Sequence, residues 1–257
     1  MLSPWLGIAV TVGTLLGMLG LLTAARSRYG LEPEYTRKLG QVGFGAAALA
    51  FPLVFRAVWP VIVLSGIAVA LTAAIRWVPG FAGATPAWVE RRSAGDFCLV
   101  LAVAALYALT GGDRVQYGIP VLTLTFAVTA AALVGTRHGR TGIPLDSGKS
   151  LEGSIAFFVV AVACAQVPLM LMAPLGALDA ARIAFVYASV VTVVEAAAGG
   201  GIDNLLVPMA GYFAVSALLQ HDPMALRGVM LAAALFVGAV AIRRFFAMGW
   251  ATEMARE

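Results

Sequence analysis

The chain has 257 residues, of which 61% are hydrophobic and 12% charged, with a net charge of +4. A soluble domain carries about 25% charged residues, so this composition excludes an ordinary soluble globular protein. The basic residues are scattered over many short loops, which excludes a concentrated nucleic-acid patch.

Apolar runs of membrane length recur along the chain. A hydrocarbon core about 30 Å thick needs roughly 20 apolar residues per helix. Backbone groups in lipid must be bonded inside a helix or a closed barrel. Runs such as 157–172 are continuous rather than alternating, so helices are expected and barrel strands are not. The expected fold is all-α: a polytopic integral membrane protein forming one membrane-embedded domain over 1–257.

In chain order, nine spans are predicted at about 5–25, 39–55, 58–76, 95–110, 116–136, 153–174, 180–198, 203–220 and 226–246. No Lys or Arg precedes the first, so it reads as a retained helix rather than a signal peptide. The second and third are separated narrowly by Arg56 and Pro60, and the fourth is short. Cys98 and Cys164 lie inside apolar runs and are expected as buried free thiols. The longest inter-span loops, 77–94 and 137–152, are too short to build a core of their own.

Orientation follows from the bias of Lys and Arg toward the cytoplasmic side. With nine spans, one side collects Arg26, Arg28, Arg37, Lys38, Arg76, Arg91, Arg92, Arg137, Arg140, Lys149, Arg243, Arg244 and Arg256, which is thirteen of the 17 basic residues. The other side keeps Arg56, Arg114, Arg182 and Arg227. The N-terminus is therefore expected outside and the C-terminus in the cytoplasm, in the inner membrane of a prokaryotic cell. Fusing 39–76 into one span destroys the alternation.

Ionisable residues in or beside spans are costly and mark function. Glu195 lies near the end of the seventh span, and Asp203 and Asn204 open the eighth after Gly199, Gly200 and Gly201. That brings two carboxylates to one boundary, where they suit a hard cation such as Mg²⁺. The alternative is that Glu195 faces a polar cavity and Asp203 caps a helix. A second cluster is the basic, Gly-rich loop from Arg137 to Ser154, followed by a helix. A helix N-terminus with a nearby lysine suits phosphate, although an ordinary cytoplasmic loop has the same charge. Gly148-Lys149-Ser150 ends like a P-loop, but Ile143 stands where the first Gly is needed. Two further clusters are Glu34, Arg37, Lys38 and Gln41, and Arg91-Arg92-Ser93-Ala94-Gly95-Asp96. Asp96 at a helix start suits a cap. All four clusters fall on the cytoplasmic side, which outlines phosphoryl or nucleotidyl transfer to a lipid head group.

The segments Ala131-Ala132-Leu133-Val134-Gly135-Thr136-Arg137-His138-Gly139 and Lys149-Ser150-Leu151-Glu152-Gly153-Ser154, then Glu195 with Gly201-Ile202-Asp203-Asn204-Leu205-Leu206-Val207-Pro208, occur in that order. Together with Arg91–Asp96 and Glu34-Arg37-Lys38 they resemble the phytol kinase and dolichol kinase family, related to the CDP-diacylglycerol synthases. The resemblance spans about 31–210. It implies a CTP-dependent kinase of an isoprenoid alcohol (phytol, geranylgeraniol or a polyprenol) using Mg²⁺. It implies a nucleotide loop at Arg137, Lys149, Ser150, Glu152 and Gly153, and a catalytic or metal site at Glu195, Asp203 and Asn204.

Two positions depart from the family pattern. Val128 stands where it has an Asp, and Gln41 where it has a His. Asp96 or Asp146 would have to supply the missing metal ligand. The alternatives are a diverged member with CDP-lipid synthase-like nucleotidyl transfer, and a non-catalytic member that binds a lipid or a partner protein. A transporter is disfavoured, because no internal repeat is evident and the charges sit at one interface.

Overall fold

The computed structural model describes residues 3–30, 33–77, 94–143 and 148–220, with Met224, Leu231, Leu235 and Gly238. The side chains of Glu34 and Arg37, the residues Arg91, Arg92, Ser93 and Asp146, and most of the ninth predicted span lie outside this set.

The described residues form helices and no strand. They are α1 (Pro4–Tyr29), α2 (Pro33–Leu49), α3 (Phe51–Val54), α4 (Trp59–Trp77), α5 (Gly95–Thr110), α6 (Arg114–Leu122), α7 (Val128–His138), α8 (Leu151–Met172), α9 (Ala177–Ala197) and α10 (Asp203–Leu219). A π-helical turn, Thr123–Ala127, joins α6 to α7. Four helical stretches are long and apolar enough to cross a membrane: Pro4–Tyr29, Arg114–His138, Leu151–Met172 and Ala177–Ala197. The other apolar helices are shorter: Lys38–Val54, Trp59–Ala74, Gly95–Thr110 and Asp203–Leu219.

The boundaries have local causes. Ser3 caps α1 by accepting from Leu6 N at 3.2 Å, and Gly30 ends it at φ +62. Asp113 starts α6 by accepting from the backbone N–H groups of Val115 and Gln116 at 3.0 and 2.8 Å. A side-chain oxygen there satisfies donors that the first helical turn leaves free. The π turn follows Pro120, which has no N–H to give. Around it Thr123, Thr125 and Thr129 return their hydroxyls to Ile119 O, Val121 O and Thr125 O at 2.9, 2.6 and 2.7 Å. These bonds occupy carbonyls beside the turn, where the regular ladder is broken.

Two apolar clusters hold the bundle. One joins α6, α7, α8, α9 and α10 around Phe157, Leu169, Tyr187 and Val191. The other joins α1, α2, α3, α4, α5 and α6 around Phe51, Leu106, Tyr107 and Tyr117. Their phenols are bonded inside: Tyr107 to Phe55 O at 2.7 Å, Tyr117 to Ala48 O at 2.9 Å, and Tyr187 with Thr123 Oγ1 at 2.8 Å. A buried hydroxyl without such a partner costs about 1–3 kcal/mol. At one end of the bundle the rings of Trp5 of α1 and Trp59 of α4 pack tilted at 58° with centroids 5.3 Å apart. At the other end the starts of α5, α8 and α10 meet the end of α9.

Candidate functional site

The site grows from the start of α8. Ser150 is extended (φ −113, ψ 152), and its hydroxyl accepts from Gly153 N at 3.2 Å, capping the helix. The chain before it folds back as a short antiparallel bridge between Gly142 and Ser150. Ile143 N donates to Lys149 O and Leu151 N to Thr141 O, both at 2.9 Å. Glu152 accepts from Thr141 N at 3.1 and 3.3 Å. Gly148 sits at φ +66, in the left-handed region that glycine enters freely. The loop is thereby tied to its own helix, and Lys149 projects from it.

The partners of Lys149 come from the α9–α10 corner. Glu195 lies in the last turn of α9, and Asp203 is the first residue of α10. Between them Gly200 and Gly201 take φ +68 and +93, which turns the chain sharply enough to bring the two carboxylates together. Lys149 Nζ donates to Glu195 Oε1 at 2.6 Å and to Asp203 Oδ2 at 2.9 Å. Glu195 is 3% exposed, and its second oxygen accepts from Ser154 Oγ at 3.3 Å. Asn204 donates through Nδ2 to Gly95 O at 3.0 Å, fastening α10 to the start of α5.

This cluster borders a polar cavity of about 480 Å³. Lys38, Arg140, Lys149, Ser150, Ser154, Glu195 and Asp203 line it, with Gly135, Gly139, Gly142, Gly148 and Gly153. The glycines let α7 and α8 approach closely. A Cβ on Gly153 would stand 2.9 Å from Ala131 O. Val128, in the first turn of α7, is also part of the wall. The position where the family resemblance implies an Asp thus presents an isopropyl group to the polar cavity.

A second cavity of about 230 Å³ lies on the far side of Asp203. It is apolar, with Leu15, Met18, Leu19 and Leu22 of α1 facing Phe44, Leu71, Leu99 and Val100. Polar groups enter its lining at Thr36, Gln41, Thr72, Asp96 and Asn204. The two cavities share a wall. Asp203 lines the polar one, and its neighbour Asn204 lines the apolar one. Lys38 and Gln41 divide in the same way and are joined by a hydrogen bond from Lys38 Nζ to Gln41 Oε1 at 3.3 Å. Gln41 Nε2 then donates to Leu124 O, within the π turn, at 3.4 Å.

The structure therefore brings Lys149, Ser150, Gly153, Glu195 and Asp203 around one cavity. Asn204 and Asp96 line the adjoining one. Arg137 stands apart, with its guanidinium 5.2 Å from the Tyr35 ring centroid. Glu152 holds the loop rather than facing the cavity. Asp203 opens α10 in its first turn, where the cap residue is Ile202. Asp96 likewise lies in the first turn of α5 behind Ala94, which offers no side-chain cap. Cys98 and Cys164 are free thiols, the second buried and the first half-buried.

Arg140 entered the sequence reading only as one basic residue of the Arg137–Ser154 loop, and Ala132, Gly135 and Gly139 only as part of the family-like segment; packing of α7 and its end against α8 makes them wall residues. Among the described residues no three His, Cys, Asp or Glu side chains form a metal-binding group. Glu195 and Asp203 nonetheless turn an oxygen each to one cationic nitrogen. Such a pair suits Mg²⁺, which is commonly held by one or two carboxylates together with substrate phosphates. Comparison with family models, curated proteins and solved structures finds no match to this chain.

Proposed function

We propose that the chain is a polytopic membrane enzyme that transfers a phosphoryl group from a nucleoside triphosphate to a lipid alcohol at the cytoplasmic face. The observation that carries this reading is the shared wall: a polar cavity with lysine and paired carboxylates on one side, an apolar cavity on the other. Such a site can meet a phosphate and a hydrocarbon chain at the same point. The resemblance narrows the donor to CTP and the acceptor to an isoprenoid alcohol. Nine spans with the C-terminus inside agree with the alternation of the helices and with the basic residues gathered at the site end. The paired Trp5 and Trp59 at the opposite end suit a membrane–water interface. Leu21, Leu171 and Phe185 are exposed, as lipid-facing residues would be.

Each side chain then has a task. Lys149 and Arg140 meet the phosphates as charge-assisted donors. The hydroxyl oxygen attacks the γ-phosphorus, its proton passes to Asp203, and the bond to the bridging oxygen breaks to release the nucleoside diphosphate. Asn204 and Gln41 orient the acceptor from the apolar side. Glu195 and Asp203 would hold Mg²⁺, which when bound neutralises charge on the transferring group.

A second reading, a family member that binds without turnover, is favoured by Val128 in the polar wall, because a valine cannot ligate a cation. Purified protein with CTP, Mg²⁺ and a panel of phytol, geranylgeraniol and polyprenols separates the readings. Label from the γ-phosphate should appear in the lipid and be lost in Lys149→Ala and Asp203→Asn. No transfer to any alcohol overturns the kinase. Label from the α-phosphate in the lipid would assign nucleotidyl transfer instead, and CTP binding without either transfer would assign the binding protein.

A further inference from the structure

The buried residues of α1, Gly7, Ile8 and Thr11, lie at one end. Gly7 packs so tightly that a Cβ would stand 2.8 Å from the Phe55 ring and 2.9 Å from Val54. Beyond Thr11 the inward stripe continues through Leu15, Met18, Leu19 and Leu22, the i, i+3, i+4, i+7 spacing of one helix face. This half leans on α2, where Met18 packs on Gly43. The space between it and α4 and α5 is the apolar cavity.

A smaller apolar cavity of about 90 Å³ continues that space. It shares Leu15, Phe44, Ala68, Leu71 and Val100 with the larger one and reaches Thr11 and Phe51. Together they form a trough that follows α1 from Leu22 to Thr11, about 16 Å at 1.5 Å per residue. Gln41, Asp96 and Asn204 stand at the end that borders the polar cavity. The trough is narrow, at the small end of ligand cavities, and its linings lose dispersion contacts while nothing fills it.

We propose that this trough binds the tail of a single-chain lipid alcohol, hydroxyl toward Gln41, Asp96 and Asn204, and that α1 is the wall past which the chain enters from the bilayer. This deepens the phosphotransfer reading and rests on it for the identity of the head group. An element with few buried contacts beyond one end opens at low cost, which suits α1 to lateral entry.

The test uses the full chain in lipid nanodiscs and a long-chain primary alcohol with a photoreactive diazirine at its tail. Adducts mapped by mass spectrometry should concentrate in 11–22 and 64–71 and be competed by unlabelled alcohol. A two-chain phosphatidylcholine with the same diazirine should label outward residues such as Val159 and Phe185 instead. Ala68→Trp, which fills the trough, should lower the alcohol adducts about tenfold, with Leu15→Phe as a milder variant if the tryptophan fails to fold. Adducts spread over the outward faces, adducts that competitor leaves unchanged, equal capture of phosphatidylcholine in the trough, or no effect of a folded filling variant would each overturn the proposal. Trough labelling without phosphoryl transfer would sink the enzymatic reading and spare this one, and transfer without trough labelling would do the reverse.

Discussion

One ammonium between two carboxylates dominates the site. Glu195 is nearly inaccessible and has one oxygen on Lys149 and the other on Ser154. Removing the lysine leaves two neighbouring acids without their cation, and breaking a buried pair costs more than the pair itself is worth. Lys149→Met should therefore lower the unfolding free energy by about 2 kcal/mol. Glu195→Gln in the same chain should recover most of it. Thermal unfolding in detergent checks both, and an unchanged melting temperature for Lys149→Met would refute the pairing. These residues were legible in the sequence because a charge at the edge of an apolar run is conspicuous. Their partnership was less so: Lys149 lies 46 residues from Glu195 and 54 from Asp203. Glu152 was legible for the wrong reason, since its carboxylate serves the loop backbone. Charge marks a residue as costly but does not say which neighbour it satisfies.

Helices α7 and α8 meet through glycine. Gly135 on α7 faces Gly153 on α8, Gly139 just past α7 packs on Ser150, and a Cβ on Gly153 would crowd Ala131 O at 2.9 Å and Gly135 Cα at 3.4 Å. Small residues allow such close backbone approach between membrane helices. Gly153→Val should push the helices apart, destabilise the protein by about 1–3 kcal/mol and abolish nucleotide binding, because the same glycines line the polar cavity. Ser150→Ala removes only the cap and should cost about 1 kcal/mol. Equal losses in a melting series would contradict this ranking. Helix positions were largely readable from the apolar runs: the first eight predicted spans each fall on helix. The π turn was not readable. Thr123–Ala127 contains no breaker, and its cause, Pro120 with hydroxyls that bond back to carbonyls, acts only once neighbouring helices fix the register. Likewise 39–55 is two helices, because Pro52 cannot continue the ladder of α2.

At the scale of the molecule, the Lys149–Glu195–Asp203 cluster and the polar cavity lie at one end of the bundle and the tryptophan pair at the other. A reporter fused to the C-terminus should report a cytoplasmic location, as should one placed after Arg140. An external signal from either would invert the proposed topology and put the site out of reach of cytoplasmic CTP. The proposed direction rests on the basic residues. The existence of two cavities was not legible in the sequence, because the apolar one is walled by leucines and phenylalanines that look like any core. Hydropathy marks where helices run but not the gaps between them.

The wall shared by those cavities has a consequence for fidelity. On the phosphotransfer reading proposed above, water must be kept from taking the place of the acceptor. Here the Lys38–Gln41–Leu124 relay and the Asn204–Gly95 bond stand between the aqueous chamber and the greasy one. On that reading they act as a seal that an alcohol arriving from the lipid side would bypass. Gln41→Ala should breach it. Futile release of inorganic phosphate from CTP in the absence of any alcohol should then rise severalfold while CTP affinity holds, a leak that a phosphate-release assay would register directly. A tight Gln41→Ala protein would show that the barrier to hydrolysis lies elsewhere.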